Sequence, residues 1–432
     1  MGTHLTLTAS DGHKFDAYRV DPVGTPKGGI VVIQEIFSVN HHIRSVADRF
    51  AALGYSTPRT LTAIDWLSDH GAVLELLGMH GLLAGSESFC EQWIDAIVRG
   101  CEFVERSCEY MGTGGIEGIM PPAVATDTGV PLQAVWSEAW AYRGLCTAVS
   151  LLQQRKHPRA SEFEALASRF KEAFRHAFVA RIPSQPTWTN PEGEQVHILP
   201  TDLIPPPKRH DFDDAFLLDT GPLVLPWAGP FDPGSPEMIE FEKFFRSGPN
   251  NRLRGPQTGP ITRAVLQHEV SSCEVCYSWN IVNSWIRGDR ELFLEGMYSL
   301  LAGGLSPQTY INCEHRNAMY GTLFVIPLAT WAIRQAVIDD RIVADELHLL
   351  RLCPLAWIPD DGTSVFEKMP TYFGTANLEF GLSDRGKTLN VKYSADWRMR
   401  PSRTVLHCPP LGQLEAVVIN GEKHRPSTEI VL

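Results

Sequence analysis

The chain has no apolar run approaching the ~20 residues needed to cross a bilayer as a helix, no dense cluster of Lys and Arg, and no charged-then-apolar leader at its start. The first absence argues against a helical membrane span. The second argues against nucleic acid and anionic lipid as partners, because both reward clustered cations. The third makes the cytoplasm the expected compartment. Charge points the same way: 38 Lys and Arg stand against 50 Asp and Glu, a net charge of −12. Met1-Gly2-Thr3-His4-Leu5-Thr6 formally fits a myristoylation pattern, but alternation of Leu5 and Leu7 with Thr6 and Thr8 reads equally as an edge strand. Chemical signatures are missing too. There is no Gly-x-Ser-x-Gly or Gly-x-Cys-x-Gly elbow, no Asp-x-Asp-x-Asp-Gly calcium loop, and no second pair to complement the lone Cys273-Glu274-Val275-Cys276. Nine cysteines, an odd number scattered along the chain, read as reduced thiols rather than a disulfide framework. Neither a metal nor a cofactor is expected.

What is present is an ordinary globular composition. With 432 residues, 44% of them hydrophobic and 20% charged, the chain can form two or three domains around a large core. Near the start, Gly29-Ile30-Val31-Val32-Ile33 is a continuous apolar, β-branched run, as expected for a strand buried on both faces. A polar turn follows, Gln34-Glu35-Ile36-Phe37-Ser38-Val39-Asn40. Then Ile43, Val46, Phe50 and Leu53 mark a helix from His42 that Gly54 would cap.

This strand, turn and helix resemble the opening of the dienelactone hydrolase family, an α/β-hydrolase family, with Ser38 where the pattern usually has Gly. The resemblance covers about the first 58 residues and carries over Glu35 alone from that family's active-site set. It implies ester or lactone hydrolysis, which requires an exposed nucleophile on a strained strand-to-helix elbow. The nearest candidate, Gly144-Leu145-Cys146-Thr147-Ala148, lacks the second glycine and lies within a helical pattern, so Cys146 is expected to be a buried helix residue.

From Trp66 the periodicity is helical. Helices are expected over about 67–83, 89–104, 136–154, 161–180, 237–246, 261–267, 276–286, 291–302, 320–337 and 343–350, with a loop at 309–316 and a turn at Asn190-Pro191-Glu192-Gly193. After Pro354 the period becomes two, and Asn420-Gly421 is a strong hairpin signal. The final stretch reads as a small antiparallel sandwich. Helical hairpins followed by a sandwich, with Val417-Val418-Ile419-Asn420-Gly421 near the end, resemble six-hairpin, (α/α)6-toroid carbohydrate-active enzymes. The expected architecture is therefore mainly α: a partial toroid with a C-terminal antiparallel β-sandwich and a short α/β head. The domain limits are 1–58, 59–353 and 354–432. The join near residue 58 reads as a fusion of two truncated parents or as a linker. A missing hairpin would bare apolar helix faces and promote oligomerisation.

The toroid resemblance implies hydrolysis of a glycosidic bond in a carbohydrate, or a related small molecule, by two carboxyl groups, one a general acid and one a base or nucleophile. Candidate carboxyls therefore lie in loops or at helix starts beside aromatics. Glu138 stands between Trp136 and Trp140. Glu314 precedes His315 and Arg316, and Glu274 precedes Tyr277 and Trp279. Asp213 and Asp214 extend an acidic loop that could contact substrate or simply be solvated. Capping and packing roles compete with each of these readings. Two further functions remain open: ester or lactone hydrolysis inherited from the head, and a non-catalytic binding or fusion protein.

Overall fold

A computed structural model of the chain describes residues 3–8, 14–25, 67–124, 131–204, 221–247, 281–306, 308–315, 318–320 and 325–432. It divides into two compact units, Met1–Asp69 and His70–Leu432. In the first, strands β1 (Thr3–Thr8) and β2 (Lys14–Arg19) form an antiparallel hairpin with Thr3 opposite Arg19. The strand expected at Gly29–Ile33, the turn with Glu35 and the helix from His42 fall outside the described residues.

Helical hairpins dominate the first part of the second unit. Helices α1 (Leu67–Ala84) and α2 (Glu87–Cys108) turn on Gly85, whose φ of 59° suits a residue without a Cβ. The Ser86 hydroxyl caps α2 by accepting the Phe89 N–H at 3.3 Å. The two helices run antiparallel: His80 packs on Phe89 and His70 on Phe103, each with ring centroids 4.4 Å apart. A short pairing of β3 (Ala123–Val124) with β4 (Pro131–Leu132) leads into α3 (Val135–Gln154) and α4 (Ala160–Arg181). These form a second hairpin, in which Tyr142 stacks on Phe170 at 6.0 Å. On α4, Phe163, Phe170, Phe174 and Phe178 recur at helical spacing and are fully buried, which is why this segment is an amphipathic helix.

Helices α1 and α3 cross in parallel through their glycines. Gly71 meets Trp140, Gly78 meets Thr147 and Gly81 meets Leu151. The approach is close enough that a Cβ on Gly71 would lie 2.2 Å from the Trp140 carbonyl oxygen, and one on Gly144 would lie 2.2 Å from the Gly71 oxygen.

Beyond α4, β5 (Thr187–Thr189) and β6 (Gln195–His197) flank the expected turn, with Gly193 at φ 89°. Then come α5 (Pro236–Ser247), helical residues 281–287, and α6 (Arg290–Gly304), capped by Asp289. The stretch expected to be a loop at 309–316 instead supplies β7 (Cys313–His315), which pairs with β8 (Ala318–Tyr320). Helix α7 is correspondingly shorter than expected, Val325–Val337, with Tyr320 in a strand.

The helix expected at 343–350 is a strand. In chain order the remaining strands are β9 (Ile338–Asp339), β10 (Glu346–Leu349), β11 (Ser364–Thr371), β12 (Gly374–Ser383), β13 (Thr388–Trp397), β14 (Arg403–His407), β15 (Ala416–Ile419), β16 (Glu422–His424) and β17 (Glu429–Val431). Glu346-Leu347-His348-Leu349 alternates polar and apolar residues, a period of two too short to outweigh the surrounding helical pattern, and burial of Leu347 and Leu349 against a neighbouring strand settles it here. One sheet has the order β17-β14-β10-β9, the other β11-β12-β13-β15-β16. The expected all-antiparallel arrangement is corrected at two places: β10 with β14, and β13 with β15, are parallel. The chain leaves one sheet for the other between these partners, so it returns in the same direction. Asn420 at φ 49° and Gly421 at φ 91° form the β15–β16 turn the sequence predicted. Among the described residues no helix is long and apolar enough to cross a membrane.

Candidate functional site

The α3 face that carries Trp136, Trp140 and Arg143 is half-buried, while Ala139, Leu145, Ala148 and Leu152 enter the core. Spacing of four and then three residues aligns the first three side chains along the helix. Trp136 and Trp140 meet edge to face with centroids 5.7 Å apart, and Trp140 meets Trp227 in the same manner at 4.6 Å. The Arg143 guanidinium lies 5.1 Å from the Trp227 ring centroid.

A carboxylate ties this wall to distant parts of the unit. Glu75 of α1, only 7% exposed, accepts the Arg143 Nε–H at 3.3 Å on Oε1, and Arg341 Nη2 lies 3.5 Å from the same oxygen. Its other oxygen, Oε2, is buried and has no hydrogen-bond partner among the described residues. Arg341 sits 5.9 Å from the Tyr372 ring centroid. The Tyr372 hydroxyl donates to Met79 Sδ, and its backbone N–H donates to Asp340 Oδ2 at 2.7 Å, where Arg334 also makes an ion pair. Glu75, Arg143, Trp227, Arg341 and Tyr372 are absent from the sequence-derived candidates. One signal was available: Glu75 is the single charge within the apolar stretch Ala72–Leu77.

Glu138 occupies different surroundings from the tryptophans that bracket it in sequence. Residues two apart on a helix point to opposite sides, and Glu138 is wholly buried beneath the loop before α3. Its Oε2 accepts the Met120 N–H at 3.0 Å. Gln133 holds the same loop, donating to the Ile116 and Met120 carbonyls at 3.1 and 2.9 Å and accepting from the Ile116 N–H at 2.9 Å. Burial raises the Glu138 carboxyl well above the ordinary range, only partly offset by the Met120 N–H, and so favours its protonated form. A group whose folded-state pKa is raised stabilises the fold less as pH rises through and above its unfolded value. Glu138→Gln is therefore expected to match wild-type stability near pH 4 and to exceed it at pH 8; a urea midpoint at pH 8 below that of wild type contradicts the upward shift.

An open groove of about 600 Å³ lies between α4 and the 229–233 loop, lined by Lys171, Arg175, Phe231, Asp232, Ile286 and Ile342, among others. Arg175 is anchored there, donating to the Pro230 carbonyl and lying 4.6 Å over the Phe231 ring. Cys146, one turn beyond Tyr142 on α3, has its thiol raised by burial. Cys146 is half-buried rather than fully buried as expected, and an environment that opposes thiolate formation argues against a nucleophile. Cys101, Cys108 and Cys353 are pushed up to about 12, in each case mainly by burial. No disulfide joins the seven cysteines of the described residues to one another, and no group of three or more His, Cys, Asp or Glu there is placed to hold a metal.

Of the other sequence-derived candidates, Glu314 and His315 lie on β7. Glu274, Tyr277, Trp279, Asp213, Asp214 and Arg316 fall outside the described residues, as do Cys273 and Cys276. Of Trp136, Glu138 and Trp140, the candidates whose side chains are described, the structure brings Trp136 and Trp140 together.

Comparison with known proteins adds one local likeness. Residues 15–57 match the dienelactone hydrolase family. An Azospirillum brasilense protein named "Putative carboxymethylenebutenolidase" is 46% identical over 54 residues, a stretch that is 12% of this chain and 23% of that protein's length. The chain thus spans under a quarter of the curated relative it matches.

Proposed function

We propose that the chain is a hydrolase-like protein acting on an ester or lactone of a small molecule. The observation that carries this reading is the match of residues 15–57 to the dienelactone hydrolase family. No elbow nucleophile exists in the sequence, and Cys146 sits within α3 with a raised pKa. Under this reading the attacking group is a water, and Glu35 is its general base, a task a carboxylate can perform when positioned within hydrogen-bond reach. Purified full-length chain is expected to hydrolyse p-nitrophenyl acetate or a dienelactone faster than the heat-unfolded chain does. Glu35→Gln should lower that rate at least ~10-fold, the lower end of what general-base catalysis contributes being about a hundredfold. Cys146→Ala should leave it unchanged. Absence of turnover overturns the reading, and loss of turnover in Cys146→Ala restores a thiol mechanism.

A second reading, cleavage of a glycosidic bond, is favoured by the half-buried Trp136, Trp140 and Trp227 beside the Glu75 carboxylate. Aromatic rings offer stacking faces for sugars, and glycosidases place carboxyls beside them. The antiparallel hairpins α1–α2 and α3–α4, with α1 parallel to α3, agree with the alternation a toroid requires. Aryl-glycoside turnover lost in Glu75→Gln would move the assignment to this reading. Glycoside turnover that survives both Glu138→Gln and Glu314→Gln removes those two residues from it.

A further inference from the structure

Two histidines from adjacent strands face each other in the four-stranded sheet. β10 and β14 are parallel with His348 opposite Val405, which places His407 two residues further along on the same face. His348 Nδ1 lies 2.8 Å from His407 Nε2, and the rings stack with centroids 5.1 Å apart at 25°. Two ring nitrogens at this distance share a single hydrogen. Glu346, on β10, fixes which nitrogen carries it. Its Oε2 lies 3.3 Å from His348 Nε2, although the alignment falls short of a hydrogen bond, so that nitrogen is left without a bonded partner. A carboxylate at that range favours N–H on Nε2, which leaves His348 Nδ1 as acceptor and His407 Nε2–H as donor.

Proton uptake then has an order. The first proton goes to His407 Nδ1, which faces Glu429 Oε1 on β17 at 3.7 Å, and the N–H···N bond survives. The second can only go to His348 Nδ1. There it sets N–H against N–H at 2.8 Å and places two imidazolium rings in contact. The remaining charged groups around the pair are Arg403 on β14, which pairs with Glu346 at 3.0 Å, Arg351 just beyond β10, and Arg290 on α6. Three cations against two carboxylates disfavour an added charge.

We propose that the His348–His407 pair is an acid-opened latch that holds the C-terminal strands β14 and β17 onto β10 and releases them when it takes up protons. The latch rests on the geometry of the pair and is independent of the hydrolase reading. Burial, joined for His407 by His348 and Arg351, lowers both histidines, His407 to about 4. A lowered folded-state pKa means that the open state binds more protons, so opening becomes easier as pH falls from about 6.5 towards 4.

Hydrogen exchange of the full chain, corrected for intrinsic rate, tests it. Between pH 7 and pH 5 the opening constant of the Glu429–Val431 amides is expected to rise on the order of tenfold or more, since each unit of pKa displacement is worth a factor of ten. The β12–β13 amides serve as the reference and should change less than about threefold, which is under half a pKa unit. His407→Gln, which keeps a donor towards His348 without titrating, should flatten the pH dependence of the β17 amides. Equal pH dependence in wild type and His407→Gln overturns the proposal, as does no dependence in wild type. Should the variant fail to fold, ring-proton NMR of the wild type decides: two coupled titrations below the ordinary histidine range support the latch, and two independent ones near 6.5 overturn it.

Discussion

Replacing Asp339 by alanine is expected to cost about 3 to 5 kcal/mol, because several buried donors lose their acceptor at about 1 to 3 kcal/mol each. Asp339 has no exposed surface, and its two oxygens organise five donors. Trp285 donates its indole N–H to Oδ2 at 2.7 Å, and Arg351 Nη1 lies 3.6 Å from that same oxygen. The Arg341 and Ile342 backbone N–H groups donate to Oδ1 at 3.0 and 3.1 Å, joined at 3.1 Å by the Gln335 amide in the orientation its neighbours require. Alanine would strand an arginine, an indole N–H and two backbone donors in a dry interior, each unsatisfied group being costly. Burial pushes the Asp339 carboxyl up to about 7, against the opposing pull of Arg351 and Trp285. Its folded-state pKa is raised, so its contribution is full below about pH 4 and declines towards pH 7. The deficit of Asp339→Ala should therefore be larger at pH 5 than at pH 8. Urea melts at the two pH values, read at unchanged slope, check both statements. A loss under about 1 kcal/mol at pH 5, the scale of one ordinary hydrogen bond, would show that the donors find other partners.

Gly144→Ala is expected to destabilise the second unit by about 3 kcal/mol. A glycine-to-alanine change in a helix interior ordinarily gains up to ~1 kcal/mol. Here the added Cβ would sit 2.2 Å from the Gly71 carbonyl oxygen and 2.9 Å from the Leu74 Cβ. Backbone atoms cannot rotate away as a side chain can, so α1 must lift off α3, a form of overpacking that costs 1 to 3 kcal/mol or more. Gly71→Ala meets the Trp140 carbonyl at the same 2.2 Å and should cost a similar amount. The double variant should cost little more than either single one, because a separation of the helices relieves both clashes at once. Gly78→Ala is the milder comparison and should cost less, since its added Cβ would lie 2.8 Å from the Thr147 Cγ2 methyl and 3.1 Å from the Thr147 backbone carbon and oxygen. Thermal melts of the four variants decide the matter; full additivity would mean that the two clashes are relieved separately.

Local features of the sequence carried much of this fold. The helical periods that predict 136–154 and 161–180 match α3 and α4 within a residue or two, and both Asn190–Gly193 and Asn420–Gly421 turn where their residues dictate. What was not legible depends on partners far along the chain. Glu346–Leu349 alternates polar and apolar residues as a strand does, but over four residues only, and it is the flanking β14 and β9 that make it one. The same holds for the aromatic wall. Trp136 and Trp140 could be placed on one face from spacing alone, and the same spacing separates Glu138 from them. Glu75 and Arg143 meet across 68 residues of sequence, through a helix crossing that only the packed structure reveals. The head shows the opposite limit: the sequence there matches a family over 43 residues, from 15 to 57, while most of that stretch lies outside the described residues.

The way the chain shuttles between the two sheets bears on how this region folds. β11, β12 and β13 enter one sheet, β14 the other, β15 and β16 return to the first, and β17 to the second, while β9 and β10 wait from before residue 354. Neither sheet can be finished until the other is nearly complete. The two parallel pairings also require closure of long loops before any ladder bonds compensate, which slows folding in topologies of this kind. A fragment beginning at residue 354 would lack the strands on which β14 aligns. This region is therefore expected to complete only once residues 338–349 are in place, and a ribosome-bound nascent chain would hold β14 unpaired on one edge until β17 emerges.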